Sequence, residues 1–443
     1  MNRDRSELLT RIGPDTGAGK TLRRYWMPAA LSDELDSSRP LVPVKLMGEN
    51  LVLFRSEDGG LGLIDRQCPH RGVDLTYGRL ETDGLRCPFH GWYFNRDGQC
   101  LEQPAESVDS TLYKKIKTTA YPVIEKNGII FAYMGKEKTP ALPGLDCFKA
   151  PNSHTFAFKG LWQCNWLQAL EVGIDPAHAS FLHRFFDDEN PDDQYGKQFR
   201  DTVANTDIPI TQLLREYHRP EIELEETNYG IRIKTLRHLE KNLTHVRVTN
   251  QIFPCAISIP MSDTMTITQW HVPIDDKNCF WYAIFTSFTD PVDKGKMRSQ
   301  RLAEHSLPHY MPVRNKENKY GYDAEEQKTS TYTGMGKDIN VHDQWACESM
   351  GSIQDRTKEH LGTTDKAISA YRRLLLQTIS KVERGEEILM GNSALVEAND
   401  IRGPIALDVI GPTKDHDTIW TDRDKKRRDE CPWDATLQDR ETK

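Results

Sequence analysis

Cys68-Pro-His70-Arg71-Gly72 and Cys87-Pro-Phe-His90-Gly91-Trp92 decide the reading of this chain. The pattern is C-x-H, sixteen residues, then C-x-x-H. Each stretch offers one thiolate and one imidazole. A proline beside each cysteine stiffens the loop, and a glycine beyond each histidine lets backbone approach a bound group closely. Two thiolates can hold one iron of a [2Fe–2S] unit and two imidazoles the other. The competing occupant is a tetrahedral Cys2His2 zinc ion. Zinc fingers pair cysteine with cysteine and histidine with histidine along the chain. Here each loop mixes them, which favours the two-iron reading.

The flanking sequence is strand-like. PLVPVKLMG, ENLVLFRS and GLGLIDRQ are short alternating runs broken by GEN and EDGG turns, and TTAYPVIEKNGIIFAYMG repeats the pattern around Lys126-Asn127-Gly128. Residues 40–150 thus read as a small all-β domain, closed by the proline-rich TPALPGLDCFKAP. Residues 1–39, with LLTRIG and TLRRYWMPAAL, read as helix and turn. Residues 151–412 are mixed: helical spacing in NWLQALEVGIDPAHASFLHRFF, strand alternation in LRHLEKNLTHVRVTNQIFP and DTMTITQWHVPID, and an amphipathic helix in DKAISAYRRLLLQTISKVERG. Residues 413–443 form a charge-dense tail expected to pack loosely.

The composition sets bounds. The 443 residues suggest two or three domains at roughly 100–200 residues each. With 58 basic and 66 acidic residues the net charge is -8, which argues against a nucleic-acid binder. Nine scattered cysteines do not form a secreted disulfide framework. No segment reads as a signal peptide or a membrane span. The expectation is a soluble, cytoplasmic protein.

A second constellation begins 73 residues after Trp92: Asn165-Trp166, then Glu171-x3-Asp175-Pro-Ala-His178-x4-His183. Two histidines five apart, preceded by acids in an apolar frame, suit either a structural role or a metal site.

Together the motifs resemble the oxygenase component of the Rieske non-heme iron ring-hydroxylating oxygenases, with the first constellation as the Rieske domain. The resemblance covers nearly the whole chain. TLRRYWMPAAL, the two loops and HDQWACESMGSIQDRT most resemble the branch of phthalate and phenoxybenzoate dioxygenases and lignin-aromatic O-demethylases. Respiratory Rieske proteins carry an extra cysteine in each loop, where this chain has Val73 and Phe89, and a serine where it has Trp92. Fewer donors to the cluster imply a lower potential.

The resemblance implies an α+β fold: an all-β Rieske domain plus a helix-grip-like catalytic domain with a central antiparallel sheet flanked by helices. It implies one [2Fe–2S] cluster on Cys68, His70, Cys87 and His90, and one mononuclear Fe(II) on His178, His183 and a distant carboxylate. Asp343 fits that carboxylate best, and Asp355 competes. Asp175 would bridge a cluster histidine and an iron histidine between neighbouring subunits of a trimer or hexamer. Asn165 would sit near the iron as an amide, or simply cap the helix that follows it. Electrons would come from NAD(P)H through a separate reductase, with or without a ferredoxin, and O2 would be co-substrate.

The expected substrate is an aromatic carboxylate, oxidised by ring dihydroxylation or hydroxylation. The alternative is O-demethylation of a methoxylated aromatic acid with release of formaldehyde. An anionic substrate wants a guanidinium. Arg237 and Arg247 are the candidates, with Ser180 as a hydroxyl and Arg184 and Arg200 as further possibilities; a surface salt bridge is the plainer role for any of the arginines. Two non-enzyme readings remain: a Rieske electron carrier fused to a binding domain, and a zinc-stapled interaction protein.

Overall fold

Asn127 and Gly128 both take positive φ (45° and 86°). This is the backbone a two-residue hairpin needs, and it joins strands Val123–Lys126 and Ile129–Tyr133. We describe residues 1–36, 38–186, 202–204, 206–390 and 403–434 of a computed structural model.

Three small antiparallel sheets make up the β-rich part. Leu41–Leu46, Glu49–Arg55 and Leu61–Asp65 form one. Arg79–Glu81, Gly84–Arg86, Tyr93–Asn95 and Cys100–Glu102 form another. The third adds Trp26–Leu31 to the 123–133 hairpin. That last strand corrects the helix-and-turn reading of the N-terminal segment. Arg3–Thr10 and Gly17–Leu22 are helical, but WMPAAL is buried along most of its length and pairs with Ile129–Tyr133. Pro28 lacks the N–H a helix would use, and the register shifts beside it.

The larger part is built on an eight-stranded antiparallel sheet. Its order is Thr155–Trp162, Asn278–Ser287, Met265–Asp275, Ala256–Pro260, Leu243–Ile252, Gly230–Leu239, Glu221–Thr227. Strand Leu243–Ile252 is shared: its first half also pairs with Leu407–Pro412, its last residues with Ala256–Ser258. Helices Trp166–Gly173, Ile339–Ser349 and Lys366–Glu383 flank the sheet. Trp162, Trp166, Trp281 and Tyr371 fill the core between the layers. Gly173 and Pro176 end the helical run that the spacing of NWLQALEVGID predicts, freeing the chain to turn at His178–Ser180. No helix among the described residues is long and apolar enough to cross a membrane.

The tail is also corrected. Ile419–Asp429 is a helix that packs Trp420 onto Leu236, Val246 and Leu407. Its charges turn inward and pair. Arg428 binds Asp146 (2.7 Å), Asp424 (2.7 Å) and Asp434 (3.3 Å), and Arg427 lies over the Phe288 ring, 4.1 Å from its centroid. Charge density suggests a solvated segment only when the charges have no buried partners. Asp146→Ala should therefore destabilise the protein by about 3 kcal/mol, the usual cost of stranding a buried ion. An unchanged denaturation midpoint would show that the tail does not hold the fold.

Candidate metal centres and catalytic cavity

The two cysteine loops are conformational copies. Cys68 N–H donates to Val73 O and Cys87 N–H to Trp92 O, both at 2.8 Å. Gly72 and Gly91 N–H return to the cysteine carbonyls at 2.8 and 3.0 Å. Both glycines sit at φ +75°, a conformation that penalises any Cβ. The loops bring the His70 and His90 rings to 4.5 Å, with His70 stacked on Trp92. His90 Nδ1 is buried without a partner. Burial pushes the Cys68 thiol up to about 12, with neighbouring Cys87 adding to it against the His70 N–H. A cationic centre is what makes thiolates stable there.

The zinc alternative does not fit. Among the described residues, the sets of three or more metal-ligating side chains whose donors all lie within 4.8 Å are His178, His183, Asp343 and Glu223, His416, Asp417. The four loop residues are spread wider than one zinc ion gathers its ligands. In the second of those sets, Lys234 already bonds Glu223 at 2.5 Å.

The first set has the two imidazoles and one carboxylate that hold a mononuclear iron. His178 and His183 come from the turn after helix Trp166–Gly173. Asp343 comes from the helix Ile339–Ser349, capped by Asp338. His178 Nε2 lies 3.2 Å from His183 Nε2 and 3.8 Å from Asp343 Oδ1, and His183 Nε2 lies 3.2 Å from Asp343 Oδ1. Donors about 2.1 Å from a common ion and at right angles stand about 3 Å apart.

The tautomers follow from the partners. A carbonyl only accepts, so His178 Nδ1–H donates to Asp175 O (2.5 Å). His342 Nε2–H likewise donates to Gly336 O (2.9 Å). Burial holds His342 neutral, down at about 4, and His183 at about 3. His342 Nδ1 is then an acceptor for His183 Nδ1–H at 3.4 Å. Both Nε2 lone pairs therefore face Asp343. Burial raises that carboxyl to about 6, and its Oδ1 has no hydrogen-bond partner. Three acceptors converging without a donor are stable only around a cation.

Above them lies a buried cavity of about 120 Å3. It is lined by His178, His183 and Asp343 and, from the sheet, by Arg237, Arg247 and His271. The two candidate arginines differ. Arg247 is committed to buried Asp408 (2.5 Å) and Pro260 O (3.3 Å). Arg237, 1% exposed, uses only Nε, on Tyr217 O; its two terminal nitrogens have no partner. Burial and then Arg247 lower it to about 10, so it remains charged at neutral pH. Thr235 Oγ1 beside it is also unpartnered. Groups orphaned in this way cost about 1–3 kcal/mol each unless a ligand or water meets them.

Other candidates fall elsewhere. Asn165 is a helix cap: its side chain accepts from Leu167 N and donates to Thr10 O and Asp276 O, away from the cavity. Asp355 is on the surface, bonded to Thr357 and Lys358, because its short turn faces solvent. Ser180 is buried but lies outside the cavity lining, since its tight turn directs His178 and Ala179 there instead. Arg184 is not in the lining, and Arg200 is outside the described residues. Asp175 lines both the cavity and an outer cleft of about 890 Å3. Sequence reading missed His342, His271 and Asp408. His342 stood inside the quoted motif, and His271 alternates with Gln269 and Ile267 on one face of its strand.

Residues 25–121 match the family described as Rieske [2Fe-2S] domain, and residues 132–409 the family described as LigXa C-terminal domain like. The Pseudomonas putida phthalate 4,5-dioxygenase oxygenase subunit is 34% identical, over 86% of this chain and 87% of that one. The chain belongs to the Rieske oxygenases. The 5,5'-dehydrodivanillate O-demethylase oxygenase subunit of Sphingobium sp. (strain NBRC 103272 / SYK-6) is 32% identical, over 87% and 82%. The crystal structure of dicamba monooxygenase bound to dicamba shares the fold at TM-score 0.57 and 17% identity, covering 82% and 99%. As a Rieske oxygenase subunit it carries a [2Fe–2S] cluster and a mononuclear iron, uses O2, and takes its electrons from a separate protein. This sets aside the electron-carrier and zinc-protein readings.

Removing the His342 imidazole should loosen iron without unfolding the chain. His342→Leu should weaken Fe(II) affinity about 10- to 100-fold, measured by chelator competition, while Asp355→Ala leaves it unchanged. Equal iron retention in both would refute the tautomer argument.

Proposed function

We propose that this Rieske oxygenase oxidises an aromatic acid in the catabolism of such compounds, with the substrate carboxylate held by Arg237. The carrying observation is the Arg237 guanidinium, buried with both terminal nitrogens unpaired in the cavity that contains His178, His183 and Asp343. Arg247 and Asp408 neutralise each other at the cavity wall, so Arg237 leaves one buried positive charge for an incoming anion. A carboxylate can meet it with two parallel hydrogen bonds, and Thr235 supplies a third donor.

In this reading Cys68, Cys87, His70 and His90 hold the cluster, and His178, His183 and Asp343 hold the iron. When bound, these groups supply single electrons and O2 activation respectively. The protein's own residues do the positioning. Asp175 O orients His178, the His342 imidazole orients His183, and Ile257, Ile259 and Ile267 exclude water from the apolar side of the cavity.

Asp175 also lines the outer cleft, on the open side of His178. That cleft suits the docking of a neighbouring subunit's Rieske domain, with Asp175 as the electron bridge in a ring-shaped trimer or a pair of trimers. The electron supply is NAD(P)H through a cytoplasmic reductase, with or without a ferredoxin. Ring hydroxylation and O-demethylation differ only in which substrate atom faces the iron. The dehydrodivanillate demethylase relative keeps the second outcome in play.

The test is reductase- and NADH-dependent O2 uptake over phthalates, phenoxybenzoates, vanillate-like ethers and biaryl acids, with products assayed for diol or formaldehyde. For an active acid, Arg237→Gln should raise KM at least about thirtyfold, the cost of stranding one half of a buried charge pair, with a smaller change in kcat. An unchanged KM would remove Arg237 from the site. Fully loaded protein should contain three irons per chain, and two would contradict the mononuclear site.

A further inference from the structure

Trp162 ends strand Thr155–Trp162 and lines the cavity that holds His178, His183 and Asp343. Among the described lining residues it is the only tryptophan or tyrosine, the aromatic side chains that most readily give up an electron. The next residue, Gln163, donates its N–H to Glu348 Oε1 at 2.8 Å. Tyr320 donates its O–H to Glu348 Oε2, also at 2.8 Å, and lines the outer cleft. One peptide unit and one carboxylate thus join an oxidisable ring at the cavity to an oxidisable ring at the cleft.

The tyrosine is held there against its backbone preference. Lys319 and Tyr320 take consecutive left-handed conformations, φ 55° and 58°, which bulky side chains rarely adopt. Tyr320 N–H is pinned to Asn315 O at 2.7 Å. A tyrosine that loses an electron must also lose its phenolic proton, so it needs an acceptor. Glu348 supplies one. Gln163 N–H, Gln344 Nε2–H and Tyr320 O–H all point at its two oxygens, and a group that meets only donors accepts. Two residues on, Tyr322 is 45% exposed and lines the same cleft, so this end lies within reach of a reductant in solution.

We propose that Trp162, Glu348 and Tyr320 form an oxidation relay that moves one electron from the cleft to the cavity when hydrogen peroxide meets the iron with no substrate bound, sparing His178 and His183. This rests on the iron reading of His178, His183 and Asp343 above and extends it to self-protection. Hydrogen peroxide takes up two electrons and two protons from solvent, and its O–O bond breaks to give two waters. The ferrous ion gives one electron and becomes ferric. Trp162 gives the other and recovers it from Tyr320, whose phenolic proton passes to Glu348. A tyrosyl radical is left at the cleft wall. A thiol or ascorbate in solution reduces it by one electron, the proton returning from Glu348.

The test uses the iron-loaded enzyme with its mononuclear iron ferrous and its cluster oxidised. It is mixed anaerobically with hydrogen peroxide, without substrate, and freeze-quenched for electron paramagnetic resonance. A tyrosyl radical is expected, and its hyperfine pattern should collapse in protein produced with ring-deuterated tyrosine. Tyr320→Phe and Trp162→Phe should each lose the signal, and peptide mapping should then find added oxygen on His178 or His183. If Tyr320→Phe does not fold, Glu348→Gln, which keeps the phenol but removes the proton acceptor, should lose the same signal. No protein radical in the wild-type enzyme overturns the relay. So does a radical that deuterated tyrosine leaves unchanged, as from Trp345 or Cys164, or one that survives Tyr320→Phe. Equal oxidation of the two histidines in wild type and Tyr320→Phe overturns it as well. Metal analysis of the same sample separates the two readings. Three irons per chain without the radical defeat the relay alone, and two irons defeat the iron reading with it.

Discussion

Two imidazole lone pairs and a carboxylate crowd one buried corner, and the rest of the catalytic half is arranged to keep them there. Left alone they would repel. Each imidazole is locked from behind, His178 by the Asp175 carbonyl and His183 through His342 by the Gly336 carbonyl. The two halves of the site come from segments some 160 residues apart, so their mutual placement needs latches. Glu348, one turn and a residue beyond Asp343, accepts from Gln163 N–H and Tyr320 O–H, both at 2.8 Å, and from Gln344 at 3.2 Å. Gln168 on the histidine-bearing segment donates to Cys347 O and Gly351 O. The Asp343 helix is thus tied at its far end to the strand and the helix that lead into His178.

The sheet sets the other wall. Strand alternation puts every second residue of Gly230–Leu239, Leu243–Ile252 and Met265–Asp275 on the cavity face. Arg237 with Thr235, Arg247 with Thr249, and Gln269 with His271 all obey it. Isoleucines between these pairs keep the middle of the trough dry. The cavity thus has polar groups at its rim and apolar contact between them.

Much of this was legible in sequence because the chemistry is local. C-x-H and C-x-x-H occupy short loops, so spacing alone implied their convergence. His178 and His183 share one turn. Asp343 was reachable only by resemblance, since nothing local separates it from Asp355; burial does, one carboxyl lying in the cavity and the other bonded to a surface lysine. Asn165 was read both ways, and helix geometry decided for the cap. The tail was misread because its charges find partners hundreds of residues away, Arg428 on Asp146. His271 and the split between Arg237 and Arg247 were not legible at all. They depend on the register of four strands and on whether Asp408 reaches one arginine or the other.

The outer side of His178 is held by different means from the inner side. Glu171, one turn before Asp175, receives Arg356 at 2.9 Å and Arg372 at 2.6 and 3.0 Å, and Arg372 also bonds Glu359. Burial opposes charge on Glu171, yet the two arginines hold its carboxyl below the usual range. Such a buried ionic cluster stabilises a fold little more than apolar packing of the same volume would. Its worth is geometric. It ties the end of helix Trp166–Gly173 to helix Lys366–Glu383 at the floor of the outer cleft, and so fixes the Asp175 carbonyl that sets the His178 tautomer. A cavity side lined by apolar strands with isolated polar groups, and a cleft side braced by ions, leave His178 as the rigid element between them. That rigidity keeps the His178 lone pair aimed at Asp343 whatever enters the cavity or the cleft.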